Sequence, residues 1–132
     1  MIIKKLQDVL GTTSEIHDPG KAWTSRRLLL AKEKMGFSLH DTLIYAGSEI
    51  EMHYENHLEA VYCIAGKGSI EEKQNGTRHP IEAGTVYALD RHDHHILRAE
   101  TQMRMVCVFN PPLTGYEVHD KNGAYPLLQS QD

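Results

Sequence analysis

Four side chains that are capable of acid–base or metal chemistry alternate along one short segment. They are His53, Glu55, His57 and Glu59. In an extended strand, residues two apart point to the same face at intervals of about 7 Å. Apolar residues of the same parity follow from Val61 onward, which predicts that this face is the interior of a barrel. A buried row of histidines and carboxylates needs a metal ion or a hydrogen-bond network to compensate it.

A second polar window lies further along the chain. It runs from Tyr87 to His95 and follows a glycine turn at Gly84. A turn brings the chain back beside a preceding strand, so this window is placed to supply ligands to the same site. Five of the nine histidines fall in the two windows, at residues 53–57 and 92–95.

The elements that must position these windows are short apolar runs separated by glycine turns. The predicted strands are residues 23–31, 37–45, 60–65, 85–89, 95–98 and 103–109. Their β-branched and aromatic content, with Gly, Asp, Asn or Lys at the ends, is typical of strands. Asn75-Gly76 predicts a type I′ hairpin. The first ten residues are predicted as a short amphipathic helix, or residues 1–6 as an edge strand. Many short strands predict an all-β sandwich or barrel.

Composition excludes several classes of protein. The 132 residues suffice for one domain with a core, and the net charge of −4 comes with no basic stripe of the kind that binds nucleic acid. No apolar run approaches the ~20 residues that cross a bilayer, so no membrane partner is expected. The first residues carry no export signal, which predicts a cytoplasmic protein with Cys63 and Cys107 reduced.

Two segments resemble the motifs of the cupin superfamily. The positions that match the first motif are Gly47, His53, Glu59 and Gly66. Glu55 stands where that motif usually has its second histidine. Residues 76–87 resemble the second motif, with Glu82 in place of the usual proline and Tyr87 in place of the usual histidine. The common set of three histidines and a glutamate is therefore absent, and cupin motifs alone do not define an activity.

Longer strings of residues, which include these departures from the cupin motifs, form a pattern that extends along nearly the whole chain. They include His53-Tyr54, Asn56-His57-Leu58-Glu59, Tyr87-Ala88-Leu89-Asp90, Cys107-Val108-Phe109-Asn110-Pro111, Glu117-Val118-His119 and Gly123-Ala124-Tyr125-Pro126. Together they resemble the ectoine synthase family. The resemblance implies a single cupin-type β-barrel (a double-stranded β-helix or jelly roll) over residues 1–132, with 110–132 as a C-terminal tail that acts as a lid.

The resemblance also implies a reaction and a metal. Ectoine synthases bind one Fe(II) ion and close N-γ-acetyl-L-2,4-diaminobutyrate into a cyclic amidine, ectoine, with release of water. The family's metal ligands fall on Glu59, Tyr87 and His95, a carboxylate, a phenolate and an imidazole that suit Fe(II). From the residues alone, Tyr87 is expected to be a core tyrosine with a satisfied hydroxyl, and His95 is either a ligand or a histidine in a surface loop. The family further implies a homodimer and a compatible solute made under osmotic stress.

Substrate-binding positions implied by the resemblance are Trp23, Arg27, Thr42, Cys107, Phe109, Glu117 and His119. Arg27 is suited to a substrate carboxylate and Glu117 to an ammonium group; otherwise Arg27 is a solvated surface residue and Glu117 a solvent-facing one. Candidates for catalytic proton transfer are Tyr54, His57, Glu117 and His119, with no choice among them. Glu55 is expected at most to support a metal ligand, and His92 and His94 are expected to be loop residues and not ligands.

Two alternative functions remain at this point. One is a small-molecule-binding cupin that acts as a sensor without chemistry, and the other is an iron-dependent cupin oxygenase. A sensor usually carries a DNA-binding helix-turn-helix, for which few helix signals exist here, and an oxygenase usually shows several histidine ligands. Product mass and dependence on O₂ distinguish these functions from a lyase, which only loses one water.

Overall fold

The computed structural model describes residues 1–127, which form ten β-strands and two short 3₁₀ turns. The strands are β1 (Glu15–His17), β2 (Trp23–Leu29), β3 (Ser38–Ile44), β4 (Glu49–His53), β5 (Leu58–Ala65), β6 (Lys67–Glu72), β7 (Arg78–Glu82), β8 (Val86–Leu89), β9 (His94–Ala99) and β10 (Met103–Asn110). The 3₁₀ turns are Leu6–Asp8 and Ala31–Glu33. The predicted all-β class is confirmed. Across residues 1–127, no helix has the length and apolar character needed to span a membrane.

The strands form two antiparallel sheets that enclose one core. The six-stranded sheet has the order β1-β2-β3-β10-β5-β8, and the four-stranded sheet has the order β4-β9-β6-β7. Strand β10 shows the alternation that builds the core, because Met103, Met105, Cys107 and Phe109 are all buried while the residues between them are more exposed. Cys63 and Cys107 are both buried and free, as predicted.

Three expectations about local structure are wrong. Residues 1–10 form neither a longer helix nor an edge strand, only the turn Leu6–Asp8. The hairpin at Asn75-Gly76 exists between β6 and β7, but it is not type I′, because Gly76 has a positive φ of 74° and Asn75 does not. His94 belongs to strand β9 and not to a loop.

The segment of alternating His and Glu residues is not one strand. Strand β4 ends at His53 and β5 begins at Leu58, with a tight turn in which the Glu55 N–H donates to the His53 carbonyl oxygen at 3.0 Å. The turn breaks the period of two, so the four side chains do not share a face. The prediction that alternate residues face the interior holds within β5, where Glu59, Val61 and Cys63 are buried.

After β10 the chain has no further strand or helix up to residue 127, and it packs back across the barrel. Strand β4 is the outer strand of its sheet, and the His53 N–H donates to the Gly123 carbonyl oxygen at 3.0 Å along that edge. Gly123 has a φ of +75°, and a Cβ atom there would lie 2.5 Å from the carbonyl oxygen of Glu51. Only glycine allows this close approach. The predicted tail begins at Asn110, still within β10, and its last residues, 128–132, lie outside the described part.

Candidate active site

A cavity of about 40 Å³ lies between the two sheets, and the side chains of His119 and Tyr125 from the tail complete its wall. The predicted site residues that line it are Trp23, Thr42, Tyr54, Glu59, Tyr87, Cys107, Phe109 and His119. The structure therefore brings together residues from β2, β3, β5, β8, β10 and the tail, which are far apart in the sequence.

Glu59 and Tyr87, two of the predicted metal ligands, lie on neighbouring strands. Tyr87 of β8 pairs with Val61 of β5, so Tyr87 and Glu59 project from the same face of the sheet. Burial raises the pKa of the Glu59 carboxyl to about 8. Burial, and then the charge of Glu59, raises the pKa of the Tyr87 phenol well above its ordinary value. A buried carboxyl group and a partly buried phenol on neighbouring strands need a cation before both can ionise.

His95, the third predicted ligand, comes from the opposite sheet. It lies on β9 and is 1% exposed, which excludes the surface-loop alternative. Its Nδ1 donates to the carbonyl oxygen of Asp93 at 2.9 Å, and burial lowers the pKa of the ring, so the imidazole is neutral. Its buried Nε2 has no hydrogen-bond partner among the described residues. Metal-binding histidines commonly have one nitrogen held in this way and the other free.

These donors fit a divalent iron ion. Carboxylate, phenolate and imidazole groups suit Fe(II), and a cation would compensate the buried acids and occupy the free His95 nitrogen. Within residues 1–127, no group of three or more His, Cys, Asp or Glu side chains is arranged to hold a metal ion. A metal centre in this cavity therefore depends on the phenol of Tyr87 as a ligand.

Arg27 is buried in the interior and is not a solvated surface residue. It is 1% exposed, its Nη2 donates to the backbone carbonyl of Glu117 at 2.7 Å, and its Nε donates to Ser25 Oγ at 3.2 Å. Its Nη1 lies 3.9 Å from Glu117 Oε1 and has no hydrogen-bond partner in the part of the chain described. A buried guanidinium with a free N–H group is suited to binding a carboxylate.

Glu117 is also buried, at 2% exposure, and this excludes a solvent-facing position. Its carboxylate accepts hydrogen bonds from the N–H groups of Thr114 and Gly115, at 2.8 and 2.9 Å, and from the Thr114 hydroxyl at 3.0 Å. Burial opposes ionisation, but these hydrogen bonds outweigh it and lower the pKa of Glu117. Glu117 is therefore an anion that organises the tail beside Arg27, and a weak proton acceptor.

Tyr54 and His119 form a hydrogen-bonded pair at the cavity wall. The Tyr54 hydroxyl lies 2.7 Å from His119 Nε2, and the His119 ring also contacts Trp23 edge-on at 5.3 Å. Burial lowers the pKa of His119 to about 4 and raises the pKa of Tyr54 well above its usual value. Both groups are therefore neutral, and the tautomer of His119 sets which of them donates the hydrogen bond. Such a pair can transfer a proton between the tail and the cavity.

His57 lies behind the cavity wall, packed edge-on against Phe109 and Tyr125. It is 1% exposed, burial lowers its pKa, and its buried Nδ1 lacks a hydrogen-bond partner among residues 1–127. The remaining polar residues of the two windows lie apart from the cavity. Glu55 is exposed, and His53 stacks on His94 with ring centroids 5.0 Å apart.

Tyr125 and His40 are among the lining residues that the sequence analysis did not assign to the site. Tyr125 packs against Tyr54 at 5.2 Å and His119 at 4.5 Å, with the Arg27 guanidinium 5.6 Å from its ring centre. Only its place in a matching string singled it out. His40 lies on β3 and lines the cavity. It stands two residues before Thr42 and so shares the same face of the strand, which is the pattern that could have identified it.

An antiparallel barrel of two sheets, with its polar residues gathered between the sheets, is the architecture of a cupin. Solved cupin structures share it at low identity. One is a predicted oxalate decarboxylase from Thermotoga maritima, with a TM-score of 0.68 and 19% identity over 83% of this chain and 99% of that chain. At this level of identity, the similarity concerns the fold alone.

The chain belongs to the ectoine synthase family, whose family model, "Ectoine synthase", matches residues 1–129. The L-ectoine synthase of Halalkalibacterium halodurans is 58% identical over 131 residues, which cover 99% of this chain and 100% of that protein. A crystal structure of ectoine synthase from P. lautus has a TM-score of 0.87 and 57% identity, covering 100% of this chain and 94% of that one. The chain is accordingly an enzyme, a carbon–oxygen lyase of the hydro-lyase class.

Proposed function

We propose that this protein is an iron-dependent L-ectoine synthase that cyclises N-γ-acetyl-L-2,4-diaminobutyrate with loss of water. One observation carries the proposal. In the described part of the chain, the buried side-chain polar atoms without a hydrogen-bond partner are Trp23 Nε1, Arg27 Nη1, His57 Nδ1 and His95 Nε2. All four belong to residues that the family resemblance assigns to the site or its surroundings. Buried polar groups are rarely left unpaired, so such a concentration indicates a binding site for a polar ligand.

The substrate carboxylate is proposed to bind Arg27, whose free Nη1 supports this role. The anionic Glu117 beside Arg27 supports binding of the substrate's ammonium group. Each charged group of the substrate would then face a protein group of opposite charge. Trp23 and Phe109 are proposed to enclose the hydrocarbon part, while Thr42 and Cys107 supply small polar groups of the wall. This arrangement would fold the linear substrate so that its two ends meet.

Glu59, Tyr87 and His95 are proposed to hold Fe(II), supported by their donor chemistry and by the free His95 Nε2. When bound, the ion would supply Lewis-acid polarisation of the acetamide carbonyl, which is otherwise a weak electrophile. The Asp93 carbonyl would keep the His95 ring in the ligating tautomer. The apolar walls of the cavity would exclude bulk water, which opposes a dehydration.

The protons of the reaction balance within the substrate. The ammonium group must lose one proton before its nitrogen attacks the acetamide carbon, and the amine loses a second when the C=N bond forms. The oxygen that leaves takes up both protons as water. The hydrogen bond between Tyr54 and His119 at the cavity wall supports a role for this pair in the transfer, because a proton can pass between the two groups. His57 is a second candidate. Glu117 is less suited, because three hydrogen bonds from Thr114 and Gly115 already hold its carboxylate.

The tail is proposed to open for the substrate and to close over it. Small-molecule sites commonly enclose ~300–1,000 Å³, whereas the cavity beneath His119 and Tyr125 measures about 40 Å³. The tail or its side chains must therefore move before the substrate fits. Limited proteolysis with and without the substrate tests this movement. Substrate should protect the bonds within residues 111–127, and an unchanged cleavage rate would count against a lid.

A homodimer and a cytoplasmic location complete the proposal. The outer face of the six-stranded sheet exposes apolar side chains, which supports a self-association surface. They are Leu58, Tyr62, Ile64 and Val86. The free thiols of Cys63 and Cys107 suit a reducing compartment. A role under osmotic stress follows from the proposed product, a compatible solute. Sedimentation of the purified protein would distinguish a dimer from a monomer.

An anaerobic assay tests the proposed reaction. Purified protein is reconstituted with Fe(II), given N-γ-acetyl-L-2,4-diaminobutyrate and examined by mass spectrometry beside a sample treated with a chelator. We expect a product that is one water lighter than the substrate, formed without O₂ and only with metal. If folded protein that contains iron forms no product, the function reverts to a binding cupin or an oxygenase.

A further inference from the structure

A second space reaches the proposed metal ligands from the side of the barrel. It is a groove of about 380 Å³ between strands β6 and β7 of one sheet and β8 of the other. Strands β7 and β8 are the last strands of their sheets, so no neighbouring strand closes the gap between them. The tail residues that wall the central cavity do not line this groove.

The proposed ligands are distributed between the two spaces. Glu59 lines the central cavity, His95 lines the lateral groove, and Tyr87 lines both. An ion held by all three would therefore lie at the boundary between the cavity and the groove. The buried His95, whose Nε2 has no hydrogen-bond partner in the described chain, marks the inner end of the groove as a place for a ligand.

The lining of the groove is acidic. It contains the carboxylates of Glu72, Asp90 and Asp93, and the described residues that line it include no lysine or arginine. Glu72 is paired with His79 at 2.7 Å, and Asp93 accepts a hydrogen bond from the Arg91 N–H at 3.2 Å. Carboxylate oxygens attract hydrated divalent cations, and a groove lined by one sign of charge raises the local ion concentration.

We infer that this lateral groove is the route by which the divalent cation enters and leaves the metal site, independently of the tail. The inference rests on the proposed function, because it concerns the same ion. The substrate and the cation then use different routes. The organic substrate passes beneath the tail, and the cation passes between β7 and β8. Metal exchange is then possible while the tail remains closed.

Uptake kinetics test the route. The full-length protein, freed of metal, is mixed anaerobically with Fe(II) at low ionic strength, and bound iron is measured against time. The variants are the double change Glu72→Gln with Asp90→Asn and the charge reversal Asp90→Lys. We expect uptake to slow by roughly three- to tenfold in the double variant and further in the reversal, because electrostatic attraction is lost. The difference should shrink at high salt, and the final iron content should remain near that of the wild type.

Two controls separate this route from the opening beneath the tail. Glu100→Gln removes the same charge from an exposed residue that does not line the groove, and it should leave uptake unchanged. Gly123→Ala disturbs the contact of the tail with β4 and should also leave uptake unchanged. Uptake that is faster in Gly123→Ala and insensitive to the groove charges would overturn the lateral route. A wild-type protein that takes up no Fe(II) would overturn the proposed metal site as well.

Discussion

Two adjacent arginines on strand β2 lie in opposite environments. Arg26 faces the outside of the six-stranded sheet, where its Nε donates to the Asp41 carbonyl at 2.8 Å and its Nη2 binds the Asp41 carboxylate. Arg104 binds the same carboxylate at 2.6 Å. Arg27 faces the interior, and its Nη1 has no hydrogen-bond partner within residues 1–127. The outer arginine belongs to an ion-pair network whose partners all lie within the fold, whereas the inner arginine keeps one N–H donor available for a ligand.

Arg26 carries a charge whose partners all lie within the fold, whereas Arg27 carries one whose role is proposed to depend on the substrate. Asp41 accepts from both outer arginines, and although burial raises its pKa, the two guanidinium groups lower it further. That network is complete without any ligand. The interior face instead concentrates buried donors and acceptors that lack partners, which is costly for stability unless a ligand completes them. The degree of hydrogen-bond satisfaction therefore distinguishes the two faces better than residue type does.

The largest effect should follow from removing a proposed ligand on the interior face. Glu59→Ala, Tyr87→Phe or His95→Ala should each lower iron content and activity together, and by more than the ~10–100-fold typical for losing a supporting residue. Metal analysis and turnover on the same samples provide the measurement. The double change of His92 and His94 to alanine should retain the metal. Full iron in all three ligand variants would remove the assignment.

The two arginines themselves give the most direct test of the comparison. Arg27→Lys should weaken substrate binding by about 1.5–3 kcal/mol, because a charge-assisted hydrogen bond is lost. Arg26→Lys should lower the thermal unfolding midpoint and leave KM unchanged, because its partners are within the fold. KM and the unfolding midpoint are measured for both variants. If the two variants affect both quantities equally, the distinction between the inner and outer arginine fails.

The outer network should also have a pH signature. The pKa of Asp41 is lowered in the folded state, so its contribution to stability is present above the unfolded pKa of ~3.9 and is lost as pH falls through the folded value. Asp41→Asn should therefore destabilise the protein at pH 7, and its difference from the wild type should shrink on acidification below about pH 4. Urea unfolding at both pH values measures this. A constant difference would show that Asp41 acts through packing alone.

A smaller effect is expected at the edge of the interior site. The Asn56 side-chain amide donates to the Tyr125 carbonyl at 2.9 Å and so helps to hold the tail over the cavity. Asn56→Ala should cost about 1 kcal/mol of tail closure, which is roughly fivefold in the fraction of open tail. Proteolysis within residues 111–127 should rise accordingly, with little change in the global unfolding midpoint. Unchanged cleavage would place the restraint on the tail elsewhere.

The sequence predicted the all-β class and most of the strands, but not the environments of the residues that the family resemblance assigned to the site. Alternation within β5 correctly predicted a buried Glu59, because local periodicity reports which face a strand residue occupies. The same alternation failed across residues 54–57, where a turn resets the period. Arg26 and Arg27 are identical in type and adjacent, so composition gives no means of telling which of them has a complete set of partners.

The contacts that build the interior site are formed over long distances in sequence. Arg27 binds the backbone of Glu117, 90 residues away, and Tyr54 binds His119, 65 residues away. Single-sequence patterns hold no information about such pairings, which arise from the return of the tail across the barrel. The burial of Glu117 and the role of Tyr125 were for this reason invisible before the structure.

The contact between Gly123 and β4 has a consequence for the solubility of the enzyme. The free edge of β4 carries backbone groups that could pair with a strand of another chain. The Gly123 carbonyl oxygen accepts a hydrogen bond from the His53 N–H on that edge. The proposed opening of the tail would expose this edge for as long as the tail remains open. Variants that leave the tail permanently raised should therefore aggregate through β4 as well as lose activity. In the closed position, the contact between the tail and β4 would limit edge-to-edge association of the enzyme.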